Sequence, residues 1–114
     1  MDDIAPKLYE GVKKDFDRYY KGDQRIRVIR NRVEKGKGTW KDAYDFGVYI
    51  AEDVQKAFAR NISSAVLPNG KMYYNIAQKV VRPILEEMEN EVRKVSDKIQ
   101  EDQNKRNGIG LKAV

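Results

Sequence analysis

A chain of 114 residues with a formal charge of +5, 40% hydrophobic and 36% charged residues, has the size of one domain and the composition of a folded, helix-rich protein. Cysteine and histidine are both absent, which removes disulfides, thiolate and histidine-activated nucleophiles, the usual zinc sites and the side chain that titrates near neutrality. No apolar run approaches the roughly 18 residues a membrane span requires, and the opening residues carry Asp2 and Asp3 where a secretory signal is basic. The composition therefore predicts a cytoplasmic, non-enzymatic single domain covering residues 1–114, with no cofactor, no metal and no membrane partner.

The first segment, from Asp3 to about Lys21, sets Ile4, Leu8, Val12, Phe16 and Tyr19 or Tyr20 along one face of an amphipathic helix. Pro6 falls in its first turn, where a missing N–H costs little, and Asp2 or Asp3 is placed to cap it. Lys21-Gly22-Asp23 reads as a stop and a restart, with Gly22 suited to the left-handed position that ends helices.

The next stretch holds the strongest charge signal. From Asp23 to Lys41 there are seven basic residues against two acidic ones, an excess of +5 that equals that of the whole chain. As a helix it buries Ile26, Ile29 and Val33 on a narrow stripe, and a short strand is the weaker alternative. Arg25, Arg27, Arg30, Arg32, Lys35 and Lys37 are the candidate contact residues, for phosphates or for an acidic protein surface. A solvated face paired with Asp42, Asp45, Glu52 and Asp53 is the commoner fate of such a run. No established nucleic-acid motif accompanies it. Lys35-Gly36-Lys37-Gly38 reads as a flexible connector and lacks the framing of a Walker loop.

The segment 39–62 carries the most continuous apolar surface. Ala43, Phe46, Ile50, Val54, Ala57 and Phe58 recur at three- and four-residue steps, so they stack on one side of a helix. Thr39 followed by Asp42 forms a capping signal that starts this helix near Trp40. Gly47 inside the pattern suggests a close helix crossing. The fold expected is all-α, a small bundle of four or five helices around this central one.

Leu67-Pro68-Asn69-Gly70 is a chain reversal. Beyond it Ile76, Val80, Ile84, Met88, Val92, Val95 and Ile99 trace one seam. Pro83 interrupts the seam and predicts a kink or a break, with segments of about 71–82 and 83–103. Met72, Tyr73, Tyr74 and Ala77, together with Trp40, Tyr44 and Tyr49, are expected in the core or at helix crossings. Glu86, Glu87, Glu89 and Glu91 precede Arg93, Lys94 and Lys98, an order that suits the helix dipole and allows Glu89–Arg93 and Glu91–Lys94 pairs. A metal site on these glutamates would need matching ligands from facing helices, and none stands out. The apolar ending, Ile109 to Val114, either packs on the domain or marks a chain that once continued.

Three stretches carry a family resemblance: Leu67 to Ala77, Val81-Arg82-Pro83, and Gly108 to Val114. In them the chain resembles the N-terminal region of minor head or structural proteins of phages and prophages of Gram-positive bacteria. The likeness covers about the last half of the chain, and the first half only in helical layout. The proteins it resembles run on into a region with cysteines and histidines, so nothing of that region's activity is carried over. The resemblance implies a phage-encoded interaction module in the host cytoplasm or on the virion, with a capsid or portal protein as partner. A small inhibitor of a host defence complex of the anti-CRISPR type, and a basic helical nucleic-acid-binding protein, are the alternatives. The wide apolar seams also allow a homo-oligomer.

Overall fold

The computed structural model describes residues 4–63 and 69–107, and among them the only regular elements are four helices: α1 Ala5–Gly22, α2 Gln24–Glu34, α3 Trp40–Ile62 and α4 Gly70–Asn107. The expected all-helical class is what is observed. The basic stretch forms a helix and not a strand. The chain divides into two compact units. The first takes α1, α3 from Ile50 onward and α4 up to Met88; the second takes α2, α3 through Tyr49 and α4 from Glu89.

In the first unit Leu8, Val12 and Phe16 of α1, Val54, Ala57 and Phe58 of α3, and Ile76, Val80 and Ile84 of α4 are buried. These are the residues that helical periodicity puts on one face of each helix, so burial of those stripes holds the unit together. Polar contacts fix the register. The Tyr9 hydroxyl donates to Glu87 Oε1 at 2.5 Å and Lys13 pairs with Glu87 Oε2 at 2.8 Å, joining α1 to α4. Asn61 Nδ2 donates to Asp15 Oδ2 at 2.8 Å, joining α3 to α1. Glu87 is therefore engaged across helices, from α4 to α1, although its side chain stays about half exposed.

In the second unit Ile26, Ile29 and Val33 of α2, Phe46 of α3, and Val95 and Ile99 of α4 are buried. The end of α2 is closed by two nested backbone bonds, Lys37 N–H to the Arg32 carbonyl at 2.9 Å and Gly36 N–H to the Val33 carbonyl at 3.0 Å. This Schellman pattern requires a left-handed residue, and Gly36 supplies it at φ 74°. Gly38 serves differently. A Cβ built there would lie 2.8 Å from Val33 Cγ2 and 2.9 Å from Ile99 Cγ1, so the connector runs against the side chains of both helices. We expect Gly38→Ala to cost about 1–3 kcal/mol by overpacking, read as a lower denaturation midpoint with helicity retained.

Several sequence expectations change. Gly22 closes α1 inside the helix while Asp23, in extended conformation, is the cap, its N–H reaching the Tyr20 carbonyl at 3.3 Å; the only left-handed glycine among the described residues is Gly36. The N-cap of α1 is Ile4, with no side-chain cap, and Asp2 and Asp3 lie outside the described residues. Gly47 has no heavy atom of another element near its Cβ position, so it marks no close crossing.

Pro83 neither breaks the helix nor opens a new one, because α4 runs through it from Gly70 to Asn107. The proline forfeits one backbone bond, and the buried Val80 and Ile84 on either side hold the segment helical through packing. Trp40, Tyr44, Tyr73 and Tyr74 were expected to be buried and are instead exposed. Of these, Tyr73 still meets Phe58 of α3 edge to face at 5.6 Å between centroids, an aromatic contact at the rim of the helix pair. The tail 108–114 and residues 64–68 of the reversal lie outside the described residues.

Candidate functional site: the arginine-bearing face of the second unit

The start of α3 builds the framework of the site. Thr39 Oγ1 accepts from the Asp42 N–H at 3.1 Å, and Asp42 Oδ2 accepts from the Thr39 N–H at 3.1 Å, the reciprocal capping arrangement that the sequence predicted. The same carboxylate takes two bonds from Arg32 of α2, Nη2 to Oδ1 at 2.5 Å and Nε to Oδ2 at 3.2 Å. The Asp42 side chain is 7% exposed while that of Arg32 is 48% exposed. A nearly buried carboxylate thus locks an arginine whose outer edge faces water. The Arg32 hydrogen bonds hold the Asp42 carboxyl below its ordinary range, helped by the Thr39 N–H and opposed by burial.

Arg25 is fixed by a different device. Its guanidinium lies 4.0 Å from the centroid of the Tyr49 ring, within cation–π range. Arg30 is half-buried, pairs with Glu91 of α4 at 3.4 Å and lies 5.5 Å from the Phe46 ring centroid. Arg27 is exposed on α2, and Lys35 and Lys37 are exposed on the connector. The six predicted contact residues therefore do not converge on one point. Arg25 and Arg32 share one face, Arg30 is held toward α4, and the two lysines lie beyond the helix end. Of the acidic partners anticipated on α3, Asp42 takes Arg32, while Asp45 takes Lys41 at 2.7 Å and raises that lysine's pKa through the hydrogen bond.

Between α2 and α3 this face opens into a groove of about 340 Å³, lined among others by Arg25, Val28, Ile29, Arg32 and Tyr49. Val28 is 48% exposed and stands one turn from each flanking arginine, so the groove has an apolar floor edged by Arg25 and Arg32, with the Asp45 carboxylate also in its lining. Sequence reasoning passed over Val28. Its signal was present: it is an apolar residue off the Ile26–Ile29–Val33 stripe, and a valine there has no intramolecular helix to face. Trp40 and Tyr44, also exposed, add large amphipathic side chains to the same unit.

Among the described residues no group of acidic side chains is arranged to hold a metal ion, and no helix is long and apolar enough to cross a membrane. Comparison with known protein families, curated proteins and solved structures gives no match to this chain.

Proposed function

We propose that this chain is a phage-encoded, non-enzymatic protein-interaction module, a small helical bundle whose contact surface is the α2–α3 groove of the second unit. One observation carries the reading: Val28 exposed between two immobilised arginines, Arg25 on Tyr49 and Arg32 on Asp42. Protein interfaces are enriched in arginine, tyrosine and tryptophan around an apolar centre, and side chains already held in place lose less entropy on binding. The occupant that fits is an acidic protein surface presenting an apolar side chain, as on a capsid or portal protein. The phage assignment rests on the family resemblance of residues 67–77, 81–83 and 108–114.

Direct nucleic-acid binding is less well supported. Backbone binding draws on cations that track successive phosphates, whereas the six basic residues do not converge on one surface: Arg30 is held toward α4 by Glu91 and the two lysines lie beyond the end of α2. The discriminating experiment is recovery of the tagged chain from nuclease-treated, phage-infected host lysate, beside a variant carrying Arg25→Glu, Arg27→Glu, Lys35→Glu and Lys37→Glu. Arg32 is left intact so that Asp42 keeps its partner. We expect the wild-type chain to retain a capsid or portal protein and the variant to lose it at least about tenfold, the effect of one interface hot spot, with circular dichroism unchanged. Retention undiminished by the charge reversal would make the basic cluster a solvated face. Capture of a host defence nuclease would favour the inhibitor alternative, and nuclease-sensitive capture that weakens steeply with salt would favour nucleic acid.

A further inference from the structure

The α2–α3 groove of the second unit holds a set of donors that the chain itself does not use. An arginine presents its N–H groups in one rigid plane with two edges, each able to grip a pair of oxygens. Arg32 gives the Nε–Nη2 edge to Asp42, with Nη2 to Oδ1 at 2.5 Å and Nε to Oδ2 at 3.2 Å. The Nη1–Nη2 edge is left over, a second two-pronged fork at the tip of the side chain. Among the described residues nothing accepts from it. Asp42 is the only ion-pair and hydrogen-bond partner of Arg32 there, and Asp45, the other carboxylate lining the groove, is held by Lys41 at 2.7 Å.

This fork is already oriented. Asp42 is fixed by the Thr39 N–H at 3.1 Å and is nearly buried, while the Arg32 side chain that it anchors is 48% exposed. An arginine held in this way has little rotamer freedom left to lose on binding. The ligand group that matches a planar fork is a carboxylate, whose two oxygens accept both N–H groups side by side. A phosphate monoester offers oxygens at the same edge but carries about 1.5 to 2 negative charges, and Asp42 and Asp45 stand close by to repel them. The site therefore favours the anion of lower charge.

Val28 sets the second requirement. It is exposed, lines the same groove and lies four residues before Arg32, about 6 Å along α2 at 1.5 Å per residue. A segment that meets both side chains carries an apolar residue at about that distance from its acid. Four residues of helix or two of extended chain supply the spacing.

On the reading that the α2–α3 groove is the contact surface, we infer that Arg32 is its specificity-determining residue: the free edge of the guanidinium takes an aspartate or glutamate of an acidic peptide segment, and Val28 takes an apolar side chain one turn away.

The test is an amide chemical-shift titration of the full, isotope-labelled chain with three alanine-based helical peptides. Each carries one leucine and, four residues away, a glutamate, a glutamine or a phosphoserine. The glutamate peptide is expected to shift the amides of Val28 and Arg32 and to bind at least about fivefold tighter than the glutamine peptide, between the worth of an exposed ion pair and that of a hydrogen bond to a charged group. It is also expected to bind tighter than the phosphoserine peptide. Arg32→Lys leaves Asp42 a cation but replaces the fork by a point charge, so it should lower the glutamate peptide to the affinity of the glutamine peptide and leave the latter unchanged. A merely structural role would weaken both alike. Equal binding of the glutamate and glutamine peptides, a preference that survives Arg32→Lys, or a glutamate peptide that moves no groove amide at millimolar concentration would each overturn the assignment. Tighter binding of the phosphoserine peptide would make the fork a phosphate reader instead. Val28→Thr, at an exposed position, should weaken the glutamate and glutamine peptides equally; if it affects neither, the groove is not the contact surface and the proposed function falls with it.

Discussion

Replacing Phe16 by alanine should lower stability by about 3–5 kcal/mol, the range for deleting a fully buried aromatic ring. Phe16 is completely buried in the first unit, stacks on Tyr20 with centroids 5.5 Å apart and lies beneath the Lys13 ammonium at 5.6 Å. Its removal therefore costs ring burial, an aromatic pair and a cation–π contact together, and leaves a cavity that a helix face cannot close without shifting. Domains of this size are stable by only about 5–15 kcal/mol. At roughly 4 °C or more per kcal/mol, the thermal midpoint should fall by at least about 12 °C. Tyr74→Ala, at an exposed position of α4, should stay within about 0.5 kcal/mol. Two aromatic residues of similar size thus separate by an order of magnitude, a contrast that thermal melts of the two variants measure directly. A comparable loss at Tyr74 would mean that α4 buries a different face from the one described.

That contrast also shows where the sequence was legible. Phe16, Phe46, Val54 and Ile84 were readable as core because each belongs to a stripe of apolar residues at helical spacing, and a stripe is a local property. The start of α3 was readable for the same reason, since Thr39 and Asp42 are three residues apart and cap each other. Tyr73 and Tyr74 were misread because hydrophobic character alone does not say which side of a helix meets a neighbour. Of the kink or break that local propensity predicts at Pro83, the break does not occur, because the burial of Val80 and Ile84 that keeps the segment helical is tertiary. The candidate site divides in the same way. The excess of arginine on α2 is plain from composition. That Arg30 is held by Glu91, 61 residues away, and that Gly38 lies against Ile99, depend on long-range packing that no local pattern encodes.

The second large effect concerns Asp42, whose carboxylate is both helix cap and clamp. Asp42→Ala removes the acceptor of the Thr39 N–H and of two Arg32 donors, and we expect a loss of about 2–3 kcal/mol, combining a lost cap with a lost charge-assisted bond. The Arg32 end contributes less than a buried pair would, because its guanidinium is about half exposed and regains water when released. Asp42→Asn keeps the shape and the capping acceptor while deleting the charge, so at neutral pH it should cost less than alanine. The pH dependence then separates charge from shape. The folded-state pKa of Asp42 is depressed, chiefly by the Arg32 hydrogen bonds, so its contribution is complete above the unfolded carboxylate pKa, about 3.9. It is lost as pH falls through the lower folded value. The stability gap between wild type and Asp42→Asn should therefore be constant from pH 7 to about pH 5 and close progressively below about pH 4. Denaturation midpoints of the two chains across that range provide the measurement. A gap that persists undiminished in acid would mean that the difference between aspartate and asparagine here is not one of charge, and would overturn the charge-assisted clamp on Arg32.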